Sequence, residues 1–193
     1  MKLVVDANIF ISALIGGKAA ELLFNPNFEL LTTVRTTWEV KKYLPELAAH
    51  TEKSPADLLL LFELIPVRAY QSKEYETSLS TAQHLVGDRD PFDVDILALT
   101  LKTGAPLWSN DSDFEGIEKI TLLKTKDIID LVRFLKTDRI FISALGTTRD
   151  PSGMWEILFI KSTAYCLHRK NRQMERPSMW QTISRRINTI WRI

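Results

Sequence analysis

Four acidic residues stand where a carboxylate can do chemistry. Asp6 ends the apolar run KLVV, Glu39 lies in TTWEV, Asp93 lies in DPFDVD, and Asp111 follows the apolar run in APLWSND. A buried strand gains nothing from an ionised side chain, and isolating that charge costs roughly several kcal/mol. Asp6 therefore either has a partner that stabilises its charge or caps the helix that follows.

The chemistry open to such acids is cation binding. Mg²⁺ and Mn²⁺ prefer oxygen ligands, and carboxylates grouped without a cation repel one another. Metals held by carboxylates are the usual apparatus for phosphodiester hydrolysis. The histidines, His50, His84 and His168, show no ligand spacing and are predicted to lie at the surface.

The elements that must position these acids alternate between strands and helices. The pattern predicts strands at residues 3–5, 28–34, 66–70, 105–109 and 120–123. It predicts helices after Asn8 up to Gly16, from residue 36, at 55–65, 72–85, 91–103 and 127–135. This alternation predicts an α/β fold with a mainly parallel sheet.

The carboxyl ends of parallel strands share one edge of the sheet, where ligands bind. Asp6 and Asp111 directly follow predicted strands. Glu39 begins the helix after the second strand, and Asp93 lies in the first turn of the helix that leads into the fourth. We therefore expect the four acids to converge at that edge, where a shared divalent cation would be the partner of Asp6.

Simpler interpretations exist for the first two acids. Asp6 would in that case only cap the next helix, although an acid with capping as its single role is uncommon after an apolar strand. Thr36 and Glu39 have the spacing of a capping box, in which the threonine and the glutamate bond to backbone amides at the helix start.

The third acid has neighbours that compete with it. Asp90 is predicted to be the N-cap of a helix that has Pro91 at its first position and Gly104 at its end. An acid at Asp93 also favours the helix dipole. Asp95 lies about 200° around the helix from Asp93, so the two cannot face one metal ion.

These segments together resemble a PIN domain of the kind found in VapC-like toxin ribonucleases. The matching segments are VVDANIFIS, TTWEV, DPFDVDILALTLKTGAPL and WSNDSDF, within residues 1 to about 135. The fourth segment has Ser109 where family members often have threonine, so the hydroxyl group is retained. The resemblance implies a Rossmann-like three-layer α/β/α sandwich.

The resemblance also implies the site. Its catalytic acids would be Asp6, Glu39, Asp93 and Asp111, with Asn8, Ser12 and Asp113 in supporting positions. Asp6, Asp93 and Asp111 would hold Mg²⁺ or Mn²⁺. Glu39 would be a further ligand or would orient the attacking water.

The implied activity is that of a metal-dependent endoribonuclease that hydrolyses RNA, as the toxin of a toxin–antitoxin pair. An antitoxin protein and a second copy of the chain would be its partners. The alternative is a non-catalytic PIN-like module that binds RNA or protein. A phosphatase of the haloacid-dehalogenase kind is disfavoured, because it needs an acid two residues after its nucleophile, and Asn8 occupies that place.

Composition sets broad bounds on these expectations. The chain has 193 residues, of which 45% are hydrophobic and 25% are charged, and its formal net charge is +1. Cys166 is the single cysteine, which is typical of a reducing compartment. Asp6 and Asn8 interrupt what would otherwise look like a signal peptide, and no apolar stretch reaches about 18 residues. We expect a cytoplasmic protein without a membrane contact.

The charge shifts along the chain. Residues 138–193 carry ten Lys/Arg and four Asp/Glu, a net charge of +6, whereas residues 1–137 have a net charge of −5. This shift predicts a nuclease domain at 1–137 and a basic, tryptophan-containing extension at 138–193. The apolar spacing in 179–193 allows an amphipathic helix, for which packing or an oligomer contact is favoured over RNA contact.

Overall fold

The structure is a computed structural model that describes the backbone of residues 1–87 and 89–144, with side chains up to residue 135. In this part of the chain the strands are β1 Lys2–Val5, β2 Glu29–Thr33, β3 Val67–Tyr70, β4 Leu107–Trp108 and β5 Leu122–Leu123. The helices are α1 Ala7–Leu14, α2 Ala19–Leu23, α3 Val34–Ala49, α4 Pro55–Glu63, α5 Ser72–Val86, α6 Val94–Thr103 and α7 Thr125–Ala144. Each predicted strand and helix forms, and α2 is an additional short helix.

The strands form one parallel sheet in the order β3-β2-β1-β4-β5. In the central strand, Leu3, Val4 and Val5 are all 0% exposed. Because successive side chains of a strand point to opposite faces, helices must cover the sheet on both sides. The predicted α/β/α sandwich with a parallel sheet is confirmed.

The strand order creates a switch point beside β1. The chain passes from β1 through β2 to β3 on one side, and then returns to place β4 on the other side. In open α/β sheets, ligands bind at the carboxyl ends of the strands where the order reverses. The turns after β1 and β4 therefore face the position at which a ligand is expected.

Helix α6 lies in the core. Ile96, Leu97, Ala98 and Leu99 are consecutive and at most 2% exposed. A helix buried around its whole circumference is fixed by packing on every side. The acids at its start are therefore carried by a firmly held element.

Three predicted helix starts are wrong, because α7 begins at Thr125 instead of residue 127, and α3 and α6 also begin elsewhere. Helix α3 begins at Val34, because the Thr33 hydroxyl accepts a hydrogen bond from the Thr36 amide at 2.9 Å and so caps the helix. The predicted capping box of Thr36 and Glu39 does not form, since Glu39 lies in the second turn. The error came from reading the later of two threonines as the cap.

Helix α6 begins at Val94 instead of Pro91. Residues 91–93 form a turn, in which the Asp93 amide donates to the Asp90 carbonyl at 3.2 Å. Asp93 therefore occupies the N-cap position, and Asp90 lies before the turn. Gly104 ends the helix at φ 65°, a left-handed conformation that glycine adopts without strain.

Helix α7 runs through the predicted domain boundary at residue 137. The division of the chain into 1–137 and 138–193 stays a prediction, and residues 145–193, with the possible amphipathic helix, lie outside the described residues. Over the described ranges, none of the helices has both the length and the apolar character needed to cross a membrane.

We predict that chains ending at Thr137 and at Ala144 both fold. All strands of the described sheet precede residue 124, and the last buried hydrophobic residue among the described side chains is Val132. Thermal unfolding of both truncated chains should be cooperative, with the full-length protein as the control. Loss of cooperative unfolding in both would mean that the basic segment supplies part of the core.

Candidate active site

Asp6 lies at the switch point, immediately after β1. Its side chain is only 7% exposed, and its Oδ1 accepts a hydrogen bond from the Ala7 amide at 2.7 Å. Burial raises the pKa of Asp6, the hydrogen bonds from Ser109 and the Ala7 amide lower it, and the charges of Asp111 and Asp90 raise it further. Asp6 therefore caps α1, as the simpler interpretation predicted, and also lies in the field of other acids.

A polar network joins the end of β1 to the end of β4. The Asn8 amide nitrogen and the Ser109 hydroxyl both donate to Oδ2 of Asp6, at 2.6 and 2.7 Å. The Ser109 hydroxyl in turn accepts from the Asp111 amide at 3.0 Å, and Asn8 Oδ1 accepts from the Asn110 amide at 3.2 Å. Asn8 is thus brought to the acids as predicted, and Ser109 is a further positioning residue.

Lys124 holds the loop that carries Asp111. The Lys124 ammonium donates to the carbonyls of Asn110 and Asp111 at 3.1 and 2.7 Å, and it pairs with Glu115 at 2.9 Å. Asp111 is exposed, and its Oδ1 accepts from the Asp113 amide at 3.0 Å. The charges of both acids of this loop contribute to the raised pKa of Asp93.

Asp93 has the most unusual environment among these acids. Its Oδ2 is buried and has no hydrogen-bond partner, although Asp93 stands at an N-cap position where a carboxylate could bond to the helix amides. Burial, followed by the charges of Asp6, Asp90, Asp111 and Asp113, raises the pKa of Asp93 to about 8. A buried carboxylate without a donor is costly, so this group is suited to a positively charged ligand.

Asp90, which the sequence analysis assigned only to capping, lies close enough to the other acids to act on them. Its Oδ1 accepts from the Phe92 amide at 2.7 Å, which orders the turn before α6. Its charge also contributes to the raised pKa values of Asp6, Glu39 and Asp93. The sequence Asp-Pro-Phe-Asp was the available signal for a second acid here. Residues 91–93 form a turn, and this turn keeps Asp90 near Asp93.

Glu39 is partly buried in the second turn of α3. Burial raises its pKa, as do the charges of Asp6 and Asp90, while Arg35 and Lys42 lower it. Glu39 does not cap α3. Its carboxylate is close enough to Asp6 and Asp90 for their negative charges to raise its pKa.

Asp95 differs from Asp93 in that both of its carboxylate oxygens have partners. Its Oδ1 accepts from the Tyr75 hydroxyl at 2.6 Å, and its Oδ2 pairs with Arg35 at 3.5 Å. Burial and the neighbouring carboxylate of Asp95 raise the pKa of Tyr75, so the phenol stays protonated and donates. The charge of Asp95 is thus satisfied by partners of its own.

The supporting position predicted for Ser12 stays a prediction. Its carbonyl accepts from the Gly17 amide at 2.7 Å, and no hydrogen bond joins its hydroxyl to a carboxylate of the described residues. A side chain at Gly17 would collide with Ser12, so this contact fixes the end of α1. His50 and His84 are exposed, and His168 lies outside the described residues.

The acids are close enough to shift one another's pKa values, but they are not grouped as the ligands of one metal ion. Within residues 1–87 and 89–135, no three His, Cys, Asp or Glu side chains are close enough together to hold a metal ion. The donors are nevertheless carboxylates, which suit a hard divalent cation, and Asp93 Oδ2 lacks a partner. The donor chemistry therefore fits a divalent cation, although these side chains do not form a closed ligand set.

With this geometry in place, comparison with known proteins identifies the class. A family model described as PIN domain matches residues 4–140, which is more than half of the chain. The chain belongs to the PIN domain family. No curated protein matches it.

A solved structure gives the same fold. VapBC2 from Rickettsia felis, bound to a DNA fragment from its promoter, is similar with a TM-score of 0.51 and 14% sequence identity. The match covers 64% of this chain and 98% of that chain. At this identity the similarity establishes the fold.

We predict that Asp93→Asn stabilises the metal-free protein at pH 8 to 9. The pKa of Asp93 is about 8 in the folded protein, against 3.8 for an unperturbed aspartate. The unfolded chain therefore loses its proton first, and the free energy of unfolding falls as the pH rises from about 4 to about 8. The neutral amide removes this loss, which thermal melts from pH 5 to 9 in chelator would measure.

Asp95→Asn is the matched control. It weakens the ion pair with Arg35 and the bond from Tyr75, so it should destabilise the protein by about 1 kcal/mol or more at every pH. Equal destabilisation by both substitutions would show that Asp93 is satisfied in the folded protein.

Proposed function

We propose that this PIN-domain chain is a metal-dependent endoribonuclease. The observation that carries the proposal is the buried Oδ2 of Asp93, which has no hydrogen-bond donor and lies in the field of the other acids at the switch-point edge. A protein without a ligand at this position would be more stable with an uncharged side chain in place of Asp93. A cation offers the missing partner.

The proposed ligands of the cation, Mg²⁺ or Mn²⁺, are Asp6, Asp93 and Asp111. A bound cation would polarise the phosphoryl oxygen, lower the pKa of a bound water and stabilise the leaving oxygen. Asp6 already accepts two hydrogen bonds at Oδ2 and one at Oδ1, so Oδ1 has a lone pair left for a ligand.

The remaining residues of the site orient these carboxylates or the water. Glu39 is proposed as a further ligand or as the group that holds the attacking water, since its raised pKa makes it a better proton acceptor than an ordinary glutamate. Asn8 and Ser109 fix the rotamer of Asp6. Asp90 and Asp113 add negative charge, which favours the cation.

The cation must come before the substrate in this proposal. A phosphodiester is an anion, and the free carboxylates repel it as they repel one another. Proton release from Asp93 accompanies cation binding, so cation affinity should rise with pH up to about 8.

The alternative function is a non-catalytic PIN-like module that binds RNA or protein. Such a module has no physical need for a buried carboxylate without a donor. The two functions are separated by whether RNA is cleaved or only bound.

The biological setting is proposed by analogy. The similar solved structure is VapBC2 bound to DNA from its promoter. We infer that this chain is the toxin of a toxin–antitoxin pair in the cytoplasm, with an antitoxin and a second copy of the chain as partners. Co-expression with a small DNA-binding protein encoded beside it would test this, because an antitoxin should co-purify and suppress cleavage.

We predict that the purified protein cleaves a short RNA with Mg²⁺ or Mn²⁺ but not in chelator or with Ca²⁺ alone. Ca²⁺ takes looser coordination and activates water poorly. Product formation on denaturing gels would measure this, and equal cleavage after exhaustive chelation would contradict a metal mechanism.

Paired substitutions assign the acids. Asp93→Asn should reduce the cleavage rate by at least about 100-fold, because a ligand carboxylate is lost, whereas folded Asp95→Asn should keep most of the activity. Asp111→Asn and Asp113→Asn form a second pair, with the larger loss expected at Asp111. Equal losses within the first pair, in proteins shown to be folded by circular dichroism, would overturn the assignment of Asp93.

A further inference from the structure

Two large aromatic rings are exposed beside the acids. Trp38 is 60% exposed on α3, and Phe92 is 56% exposed in the turn before α6. Trp38 directly precedes Glu39, and Phe92 lies between Asp90 and Asp93 in sequence. The rings therefore belong to the same two segments that deliver acids to the site.

A cation lies over each ring. The Arg35 guanidinium is 5.0 Å from the centroid of Phe92, and the Lys42 ammonium is 5.6 Å from the centroid of Trp38. Both distances are within the range of a cation–π interaction. Each ring thus combines an apolar face with a neighbouring positive charge.

These side chains form one continuous stripe on α3. Arg35 lies three residues before Trp38 and four before Glu39, and Lys42 lies four and three residues after them, which places these side chains on one face of a helix. The contact of Arg35 with Phe92 joins this stripe to the turn at Asp90. We call Arg35, Trp38, Lys42 and Phe92 the aromatic–basic platform.

Contacts hold part of the platform in place before any ligand binds. Arg35 is held by its ion pair with Asp95 at 3.5 Å, and the backbone amide of Phe92 is held by Asp90 at 2.7 Å. A group that is already held loses less conformational entropy when a ligand binds.

We propose that the aromatic–basic platform binds unpaired bases of a single-stranded nucleic acid and so brings the adjoining phosphodiester to the acids. This deepens, and rests on, the proposed nuclease function. Bases stack on aromatic rings whatever their sequence, and Arg35 and Lys42 offset the repulsion between the acids and the phosphates. A base pair in a duplex does not offer its face, so the platform selects single strands.

The aliphatic surface on α4 differs from the platform. Leu60 and Leu64 are 62% and 60% exposed. They have no π face for a base, and no cation–π contact includes them among the described residues. Exposure alone therefore does not distinguish the platform. Arg68 also lies over a ring, that of Tyr70. The platform is therefore distinguished by its position beside Glu39, Asp90 and Asp93.

The test is equilibrium binding of a fluorescent single-stranded RNA, measured by anisotropy in chelator and with Ca²⁺, where no cleavage is expected. Trp38→Leu and Phe92→Leu should each weaken binding by about fivefold or more, which is the range for loss of one stacked base. The wild type should bind a duplex of the same sequence, and a strand abasic at the contact positions, correspondingly more weakly. 2-Aminopurine in the strand should be quenched by the wild type and not by Trp38→Leu.

A matched control is available on the same protein. Phe24 is 54% exposed and lies before β2, away from α3 and the turn before α6. Phe24→Leu should leave binding within about twofold of the wild type, because it lies off the platform. Thermal melts of all three variants would confirm that each is folded.

The outcomes separate this inference from the nuclease function. Binding that depends on Trp38 and Phe92, without cleavage in Mg²⁺, supports the platform and contradicts the nuclease. Metal-dependent cleavage with binding unchanged in both variants overturns the platform and leaves the nuclease intact. Equal binding of single strand, duplex and abasic strand, or no binding in either condition, also overturns it.

Discussion

The mutual repulsion of carboxylates at one edge of the sheet is the constraint on which the rest of the site depends. Asp6, Asp90, Asp93 and Asp111 lie in one another's fields, and Asp93 has a buried oxygen without a donor. A protein accepts such an arrangement only when a ligand offsets its cost or when packing elsewhere sustains it. The buried residues of α6 hold Asp93 in place. In the proposed function, a cation would stabilise its charge.

The scaffold around these acids makes the arrangement specific. The order of the strands brings β1 and β4 together, and the network of Asn8, Ser109 and Asp6 ties their ends. Lys124 holds the loop after β4 by donating to the carbonyls of Asn110 and Asp111. Its ammonium group therefore positions this loop and does not pair with the Asp111 carboxylate. Hydrogen bonds thus hold the loops around Asp6 and Asp111 in place, while the cations Arg35 and Lys42 lie over exposed rings on α3 and before α6. The proposed ligand of these rings is a single-stranded nucleic acid.

Hydrophobic pattern and strand–acid order predicted the parallel sheet, and Asp6 and Asp111 do follow β1 and β4. The convergence of all four acids into one ligand set stays a prediction, because no three such side chains of residues 1–87 and 89–135 are close enough to share a metal ion. Local helix starts were less predictable, because Thr33 and Thr36 are both competent caps and only packing chooses between them. Asp90 was missed as a site residue for the same reason, since a turn and a helix start share the Asp-Pro signal. The roles of Ser109 and Lys124 depend on contacts between distant segments, which spacing along the chain does not reveal.

The most direct test of the cation site is a crystal structure of the protein soaked in Mn²⁺ at pH 8 or above, with anomalous scattering to locate the ion. We expect one strong peak at the carboxyl edge of β1 and β4, coordinated by Asp93 together with Asp6 or Asp111. A Mn²⁺ ion found only elsewhere on the surface, or no peak at that edge at saturating Mn²⁺, would contradict the metal site and the hydrolytic function proposed from it.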